Sequence, residues 1–230
     1  MLLVSLVSCA ALTAACGDNE PLDDEGVGVP GDGDGGGDGG AGGDGDRDDR
    51  DGAAAADAAN ELGVTLGMEL AELATAELAN QPRYVVWSRI GAILLALDEG
   101  EILQAELALE RGLEPDALEY ALRMRSAHTA HAAQVRALLA ACHACPLENA
   151  VSAALREAAA GGIDDLRAAR SELVGFEYMG LRVLMHAAGE VLLDRLIELA
   201  PDVRLEDFLR TTRDHVAEHR EASDAILRAW

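Results

Sequence analysis

Residues 83–110, RYVVWSRIGAILLALDEGEILQAELALE, decide the fold of this chain. Pro82 precedes the segment and Gly112 follows it, and proline and glycine are typical at the start and just past the end of a helix. With a rotation of about 100° per residue, one face of this helix carries almost only apolar side chains. Glu101 lies on that face. Because an unpaired buried carboxylate is costly, the segment predicts a buried helix whose glutamate has a partner on a neighbouring element.

The rest of the chain from residue 53 predicts an all-α domain. Ala, Leu, Glu and Arg dominate it, and these are strong helix formers. Helix-start and helix-stop residues predict four long helices at 83–110, 115–142, 164–200 and 201–230, a short helix at 147–160 that ends at Gly161-Gly162, and an extra helix at 54–79 packed on the outside. Four long helices with short connections favour an antiparallel four-helix bundle over residues 53–230.

Ionisable side chains occupy the apolar stripes of the three later long helices. His128 and His131 share one stripe, and His215 and His219 share another. On the helix between them, His186 and Glu190 are separated by one turn and can touch. All four long helices are therefore expected to bring polar groups into the bundle interior. The candidate cluster consists of Glu101, His128, His131, His186, Glu190, His215 and His219.

Two interpretations of this cluster follow from its residue types. Buried Glu–His hydrogen bonds that fix the register between helices are favoured, because such pairs satisfy each other without a cofactor. The alternative is a site for a divalent transition metal (Zn, Fe or Cu), since His-x-x-His and His-x-x-x-His each place two imidazoles on one side of a helix. The chain has no Glu-x-x-His motif of the kind that di-iron bundles use, so a mononuclear centre is the metal alternative.

The motifs favour binding over catalysis. Neither Gly-x-Ser-x-Gly nor a phosphate-cradling glycine loop occurs. We therefore expect a non-enzymatic binding or interaction module with no cofactor, whose partner is an envelope protein or a small ligand. A metal-binding protein using the Glu/His cluster, or a metal-dependent oxidoreductase, is the alternative.

Several short motifs resemble a bacterial family of exported helical proteins known as domain of unknown function 4142, often described as predicted outer membrane proteins. The resemblance covers about residues 95–225. It depends on motifs in each of the four long helices: Gly100-Glu101-Ile102 with Leu107-Ala108, Met124 four residues before His128, Tyr178 eight residues before His186, and His219. The family is similar to the ferritin-like bundles in fold, so the resemblance implies a ferritin-like four-helix protein of the cell envelope.

The N-terminal region predicts export and lipid anchoring. Residues 1–15 form a short apolar run typical of a signal peptide, and Thr13-Ala14-Ala15-Cys16 resembles a lipobox whose cysteine carries the lipid. An ordinary signal peptide cleaved nearby is the alternative. Residues 16–52, rich in glycine and aspartate, predict a disordered tether. We therefore expect an outer membrane lipoprotein, attached through Cys16 and facing the periplasm or the cell surface.

The net charge of the chain argues against nucleic acid and anionic lipid surfaces as partners. The formal net charge is −24, which would repel nucleic acid and anionic lipid surfaces.

Outside the cytoplasm, Cys142 and Cys145 are expected to form a disulfide that closes the end of a helix just before Pro146. A CxxC pair can also be a redox-active dithiol or half of a zinc site.

Overall fold

Six α-helices and one short 3-10 helix make up residues 51–230, the part of the chain that the computed structural model describes. Their bounds are α1 Gly52–Leu78, α2 Arg83–Arg111, α3 Pro115–Ala141, α4 Ala150–Ala168, the 3-10 helix Ser171–Leu173, α5 Val174–Leu199 and α6 Val203–Arg228. The all-α helical bundle is therefore confirmed. The predicted signal peptide, Cys16 and nearly all of the tether lie outside the described residues. Among the helices of residues 51–230, none combines the length and apolarity that a membrane crossing requires.

Helices α2, α3, α5 and α6 surround the candidate cluster. Contacts between α2 and α3 pair an early residue of one with a late residue of the other: Gly91 lies against Leu139, while Asp98 lies against His131. The two helices are therefore antiparallel, as their three-residue connection requires. Helices α5 and α6 are likewise antiparallel to each other. Direct contacts between α3 and α6 are few, and this leaves room between them.

Helix α1 is the additional N-terminal helix that the sequence predicted; it buries one face and leaves Leu62 and Met68 exposed on the other. It packs along most of α5, and its small residues allow a close approach. A Cβ atom on Gly63 would lie 2.8 Å from the Cβ of Ala187, and one on Gly67 would lie 2.7 Å from the Cβ of Val191. Both pairs have the same sequence offset, so α1 and α5 run parallel. Leucine periodicity predicted the helix, but the glycines explain its position.

Replacing Gly63 with alanine is expected to lower the free energy of unfolding by about 1–3 kcal/mol, because the new methyl group meets the Leu184 carbonyl and Ala187. Gly161→Ala is the matched control, since a Cβ there meets nothing within 4 Å. We expect this control to gain about 0.5–1 kcal/mol from reduced freedom of the unfolded chain. Urea denaturation measures both. Equal effects of the two substitutions would contradict the close packing of α1.

Helix α4 is longer than predicted, and Gly161-Gly162 does not end it. Gly162 is buried, and a Cβ there would lie 2.7 Å from Gln104 Nε2, so close packing favours glycine within the helix. The end comes at Ala168, where Arg111 of α2 donates hydrogen bonds to the last carbonyls, including that of Leu166 at 2.9 Å. This arginine lies 55 residues away in sequence, so the helix-stop residues near the end of α4 do not predict the cap. The helix predicted from residue 164 therefore begins only at Val174.

The predicted Cys142–Cys145 disulfide is wrong. Cys142 has a free thiol. Its Sγ lies 3.5 Å from Arg204 Nη1 of α6, and the residue packs against the apolar core at the end of α3. Contact with α6 thus holds the Cys142 side chain, whereas the Cys-x-x-Cys spacing alone suggested a local disulfide.

Candidate metal centre

Helix α2 contributes two buried carboxylates to the bundle interior. Asp98 and Glu101 are 1 % and 4 % exposed and lie three residues apart, hence on one face of the helix. The helix can carry them because α2 packs against α3, α4 and α5, and each carboxylate has a basic partner there.

Asp98 holds two imidazoles of α3. The Nδ1 atoms of His128 and His131 lie 2.9 Å and 2.8 Å from its two carboxylate oxygens. Because an ionised carboxylate only accepts hydrogen bonds, the proton on His128 is on Nδ1. In the neutral form of His128, the Nε2 atom therefore carries the lone pair. His131 is fully engaged, since its Nε2 lies 3.0 Å from the Thr212 hydroxyl.

Tyr120 of α3 contacts the two remaining histidines of the cluster, His186 through its ring and His219 through its backbone. Its hydroxyl donates to the backbone carbonyl of His219 at 3.1 Å and lies 3.4 Å from Nδ1 of His186. With the hydroxyl proton used, the oxygen accepts from Nδ1–H of His186. As with His128, this leaves Nε2 of His186 as the atom with a lone pair.

Three ring nitrogens converge without hydrogen-bond partners. One nitrogen each from His128, His186 and His219 lies within 4.8 Å of the others. The buried atoms that have no hydrogen-bond partner among the described residues include His128 Nε2, His186 Nε2 and His219 Nδ1. Glu101 Oε2 lies 3.9 Å from both Nε2 atoms, beyond hydrogen-bond reach. Unpaired buried nitrogens are uncommon, and three in one cluster require an explanation.

Burial keeps the imidazoles of His186 and His219 neutral. Desolvation, with smaller contributions from Arg182 and His128, lowers the pKa of His186 well below its ordinary value of 6.5. Desolvation, followed by the charge of His128 and of Arg123, lowers the pKa of His219 to about 4. At pH 7 both rings therefore offer lone pairs, the form that metal ions bind.

Glu101 is neutralised by a buried arginine. Arg182 of α5 is fully buried, and its guanidinium forms an ion pair with Glu101 and donates to the side-chain carbonyl of Gln104. Desolvation lowers the pKa of Arg182 to about 9, so it remains charged at pH 7. The amide of Gln104 donates in turn to the Ala159 carbonyl at 3.0 Å, which ties the pair to α4.

Four of the seven predicted residues come together: Glu101, His128, His186 and His219. Glu190 does not, because Arg220 and Arg213 of α6 form ion pairs with it and His186 does not. His131 lies at the side of the cluster with both nitrogens occupied. His215 is exposed at the rim. The predicted Glu–His hydrogen bonds are also absent, since arginines take both glutamates.

Two central residues were missed by sequence reasoning. Asp98 precedes Glu101 by three residues and shares its face, but next to Glu99 it resembles part of a solvated acidic patch. Arg182 precedes His186 by four residues, a spacing that places both on one stripe. An arginine on the apolar stripe that carries His186 was the available signal for a buried counter-ion.

A cavity of about 250 Å³ adjoins the three histidines. Residues of α2, α3, α5 and α6 line it, and its walls are mainly apolar, with Leu94, Leu97, Met185, Leu193 and Val216. His128, His186 and His219 line it as well, and exposed His215 marks where it meets the surface. The three histidines that carry the unpaired nitrogens therefore also line a space that a ligand can enter.

Acidification from about pH 6.5 to about pH 4 is expected to destabilise the protein. In this window the unfolded chain protonates His219 and His186, whereas burial keeps them neutral in the folded chain. The free energy of unfolding therefore falls as pH falls, by about 2 kcal/mol for His219, and the effect is absent above the ordinary pKa. Urea denaturation at pH 7, 5.5 and 4 measures this. His219→Gln should reduce the loss, whereas exposed His215→Gln should keep it; identical slopes would contradict the assignment.

The fold and cluster define an all-α bundle with a histidine-rich polar centre enclosed by four helices. The chain belongs to the family described as Domain of unknown function (DUF4142), whose model matches residues 89–226. No curated protein and no solved structure matches the chain at a significant level. The matched range includes every residue of the cluster. Its donor set, three imidazoles and one carboxylate held by arginine, does not fit the carboxylate-rich dinuclear centre of ferritin-like di-iron proteins.

Proposed function

We propose that this protein is an envelope module that binds one divalent transition-metal ion through His128, His186 and His219. The observation that carries the proposal is the convergence of three buried, unpaired ring nitrogens from three different helices. A bound cation would satisfy all three nitrogens at once, which removes the cost of leaving them unpaired. Imidazole nitrogens suit Zn, Cu, Fe and Ni.

The surrounding residues support a metal role in two respects. Asp98 accepts a hydrogen bond from His128 Nδ1, the outer-shell arrangement that fixes the tautomer of metal-binding histidines. The hydroxyl of Tyr120 provides a comparable partner for His186. A tetrahedral ion with bonds of about 2.0–2.1 Å holds its ligands roughly 3.3 Å apart, so the rings must move inward on binding from separations of up to 4.8 Å.

Binding, rather than catalysis, is the proposed role. The residues that line the cavity include no serine or cysteine nucleophile. The second candidate is a metal-free small-ligand site, which the mainly apolar cavity favours. In that case the three nitrogens would hydrogen-bond to the ligand itself.

Metal analysis of the full-length mature protein, purified without a histidine tag, tests the proposal. We expect one metal ion per chain after incubation with Zn²⁺ and removal of loosely bound metal. His128→Ala, His186→Ala and His219→Ala should each lose it. His215→Ala, which changes an exposed histidine of the same region, is the matched control and should keep it. No stoichiometric metal, or metal retained without the three histidines, would overturn the proposal.

Export and lipid anchoring through Cys16 complete the proposed function. The apolar run at residues 1–15 followed by Cys16 supports this location, as does the acidic, glycine-rich composition of the residues that follow. Labelling cells with a fatty-acid analogue is expected to mark the protein. The Cys16→Ser variant should lose the label, and persistent labelling would exclude this anchor.

A further inference from the structure

We propose that the metal centre has an open coordination position that takes a small carboxylate with an apolar body from the adjoining cavity. This inference rests on the proposed metal-binding function and adds the class of ligand. Metal sites with three protein ligands commonly leave one position for water or another molecule.

No side chain of residues 51–230 fills the fourth position. Glu101 is the nearest carboxylate, at 3.9 Å from two of the nitrogens, but its ion pair with fully buried Arg182 holds it. Moving it to the metal would leave the guanidinium buried without a counter-ion, which is costly. Asp98 is also occupied, because His128 and His131 both bond to it. An outside ligand therefore completes the coordination.

The charge balance favours a monovalent anion. The buried groups at the centre are two carboxylates, Asp98 and Glu101, and one guanidinium, Arg182, and imidazoles that bind a metal ion do so in their neutral form. A divalent cation would leave this group of charges with one excess positive charge. Because uncompensated buried charge is expensive, a singly charged anion stabilises the loaded site more than a neutral ligand does.

The lining and the volume of the cavity determine the polarity and the size of the rest of the ligand. Leu97, Met185 and Val216 are among the side chains that line it, so the part of the ligand away from the metal must be apolar. The cavity has a volume of about 250 Å³. Short-chain carboxylates such as butanoate and hexanoate match both the size and the polarity, with the carboxylate at the metal and the alkyl chain along the apolar wall.

Cobalt-loaded full-length protein provides the test, because its visible spectrum reports changes at the metal. Titration with acetate, butanoate and hexanoate is expected to change the spectrum in a saturable way. Affinity should increase roughly fourfold for each added methylene group while the chain still fits the cavity. Propylamine and propanol, which lack the negative charge, should bind at least tenfold more weakly than butanoate.

A variant in which a larger side chain fills the cavity is compared with a variant of an exposed residue on the same helix. Ala127 lines the cavity on α3, whereas Ala130 of the same helix is exposed. With each variant saturated with cobalt, Ala127→Leu should weaken butanoate binding at least tenfold, and Ala130→Leu should bind it as the parent protein does. Cobalt binding without any carboxylate response, or an equal response in both variants, would overturn this inference and leave the metal proposal intact. Absence of cobalt binding would overturn both.

Discussion

Replacing Arg182 with methionine is expected to lower the free energy of unfolding by about 3–5 kcal/mol at pH 7. Arg182 is fully buried and forms the ion pair of Glu101, which is itself only 4 % exposed. Methionine preserves much of the side-chain volume, so the main change is a carboxylate left buried with no cation beside it. Urea denaturation followed by circular dichroism measures the loss.

The paired variant Glu101→Leu with Arg182→Met separates charge from packing. Removing both charges leaves no unpaired ion, so the double variant should recover most of the lost stability. It also keeps the test informative if the single variant does not fold. A loss below about 1 kcal/mol in the single variant would contradict the proposed role of the pair, as would a double variant no more stable than the single one.

The helices could be predicted from sequence because their signals are local. Pro82 and Gly112 flank α2, and the structure begins and ends this helix within a residue of the predicted 83–110. The division at Gly161-Gly162 failed for a nonlocal reason. Tight packing of Gly162 makes the glycine compatible with the helix interior, and Arg111 sets the end six residues further on. Such compensation depends on tertiary neighbours.

The cluster was predictable in part, for a similar reason. Histidines on apolar stripes must find space inside the bundle, so the convergence of His128, His186 and His219 followed from periodicity. The partners of the acidic residues did not follow from periodicity. Arginine has a long side chain that reaches carboxylates on neighbouring helices, and this is how Arg220 takes Glu190 and Arg182 takes Glu101. Spacing along one helix indicates that Arg182 faces the interior, but it does not show which carboxylate the arginine pairs with.

Changing Asp98 to asparagine is expected to weaken metal binding by about 10–100-fold. The carboxylate of Asp98 accepts hydrogen bonds from both His128 and His131, and so keeps the proton of His128 on Nδ1. Asparagine offers one acceptor oxygen and one donor group in place of two acceptors. One of the two rings therefore loses its partner, and His128 no longer presents Nε2 in a fixed direction. Competition with a chromophoric chelator measures the affinity for Zn²⁺.

Glu99→Gln is the control that separates positioning from charge. Glu99 neighbours Asp98 on α2 but pairs with Arg136 and Arg156 at the partly exposed surface, so its neutralisation removes the same charge without touching a histidine. We expect this variant to bind Zn²⁺ within about twofold of the parent protein, because partly exposed charges are screened. If Asp98→Asn and Glu99→Gln weaken binding equally, Asp98 acts only through the long-range field. A larger effect of Asp98→Asn alone means that the hydrogen bond to Nδ1 of His128 directs its Nε2 toward the metal.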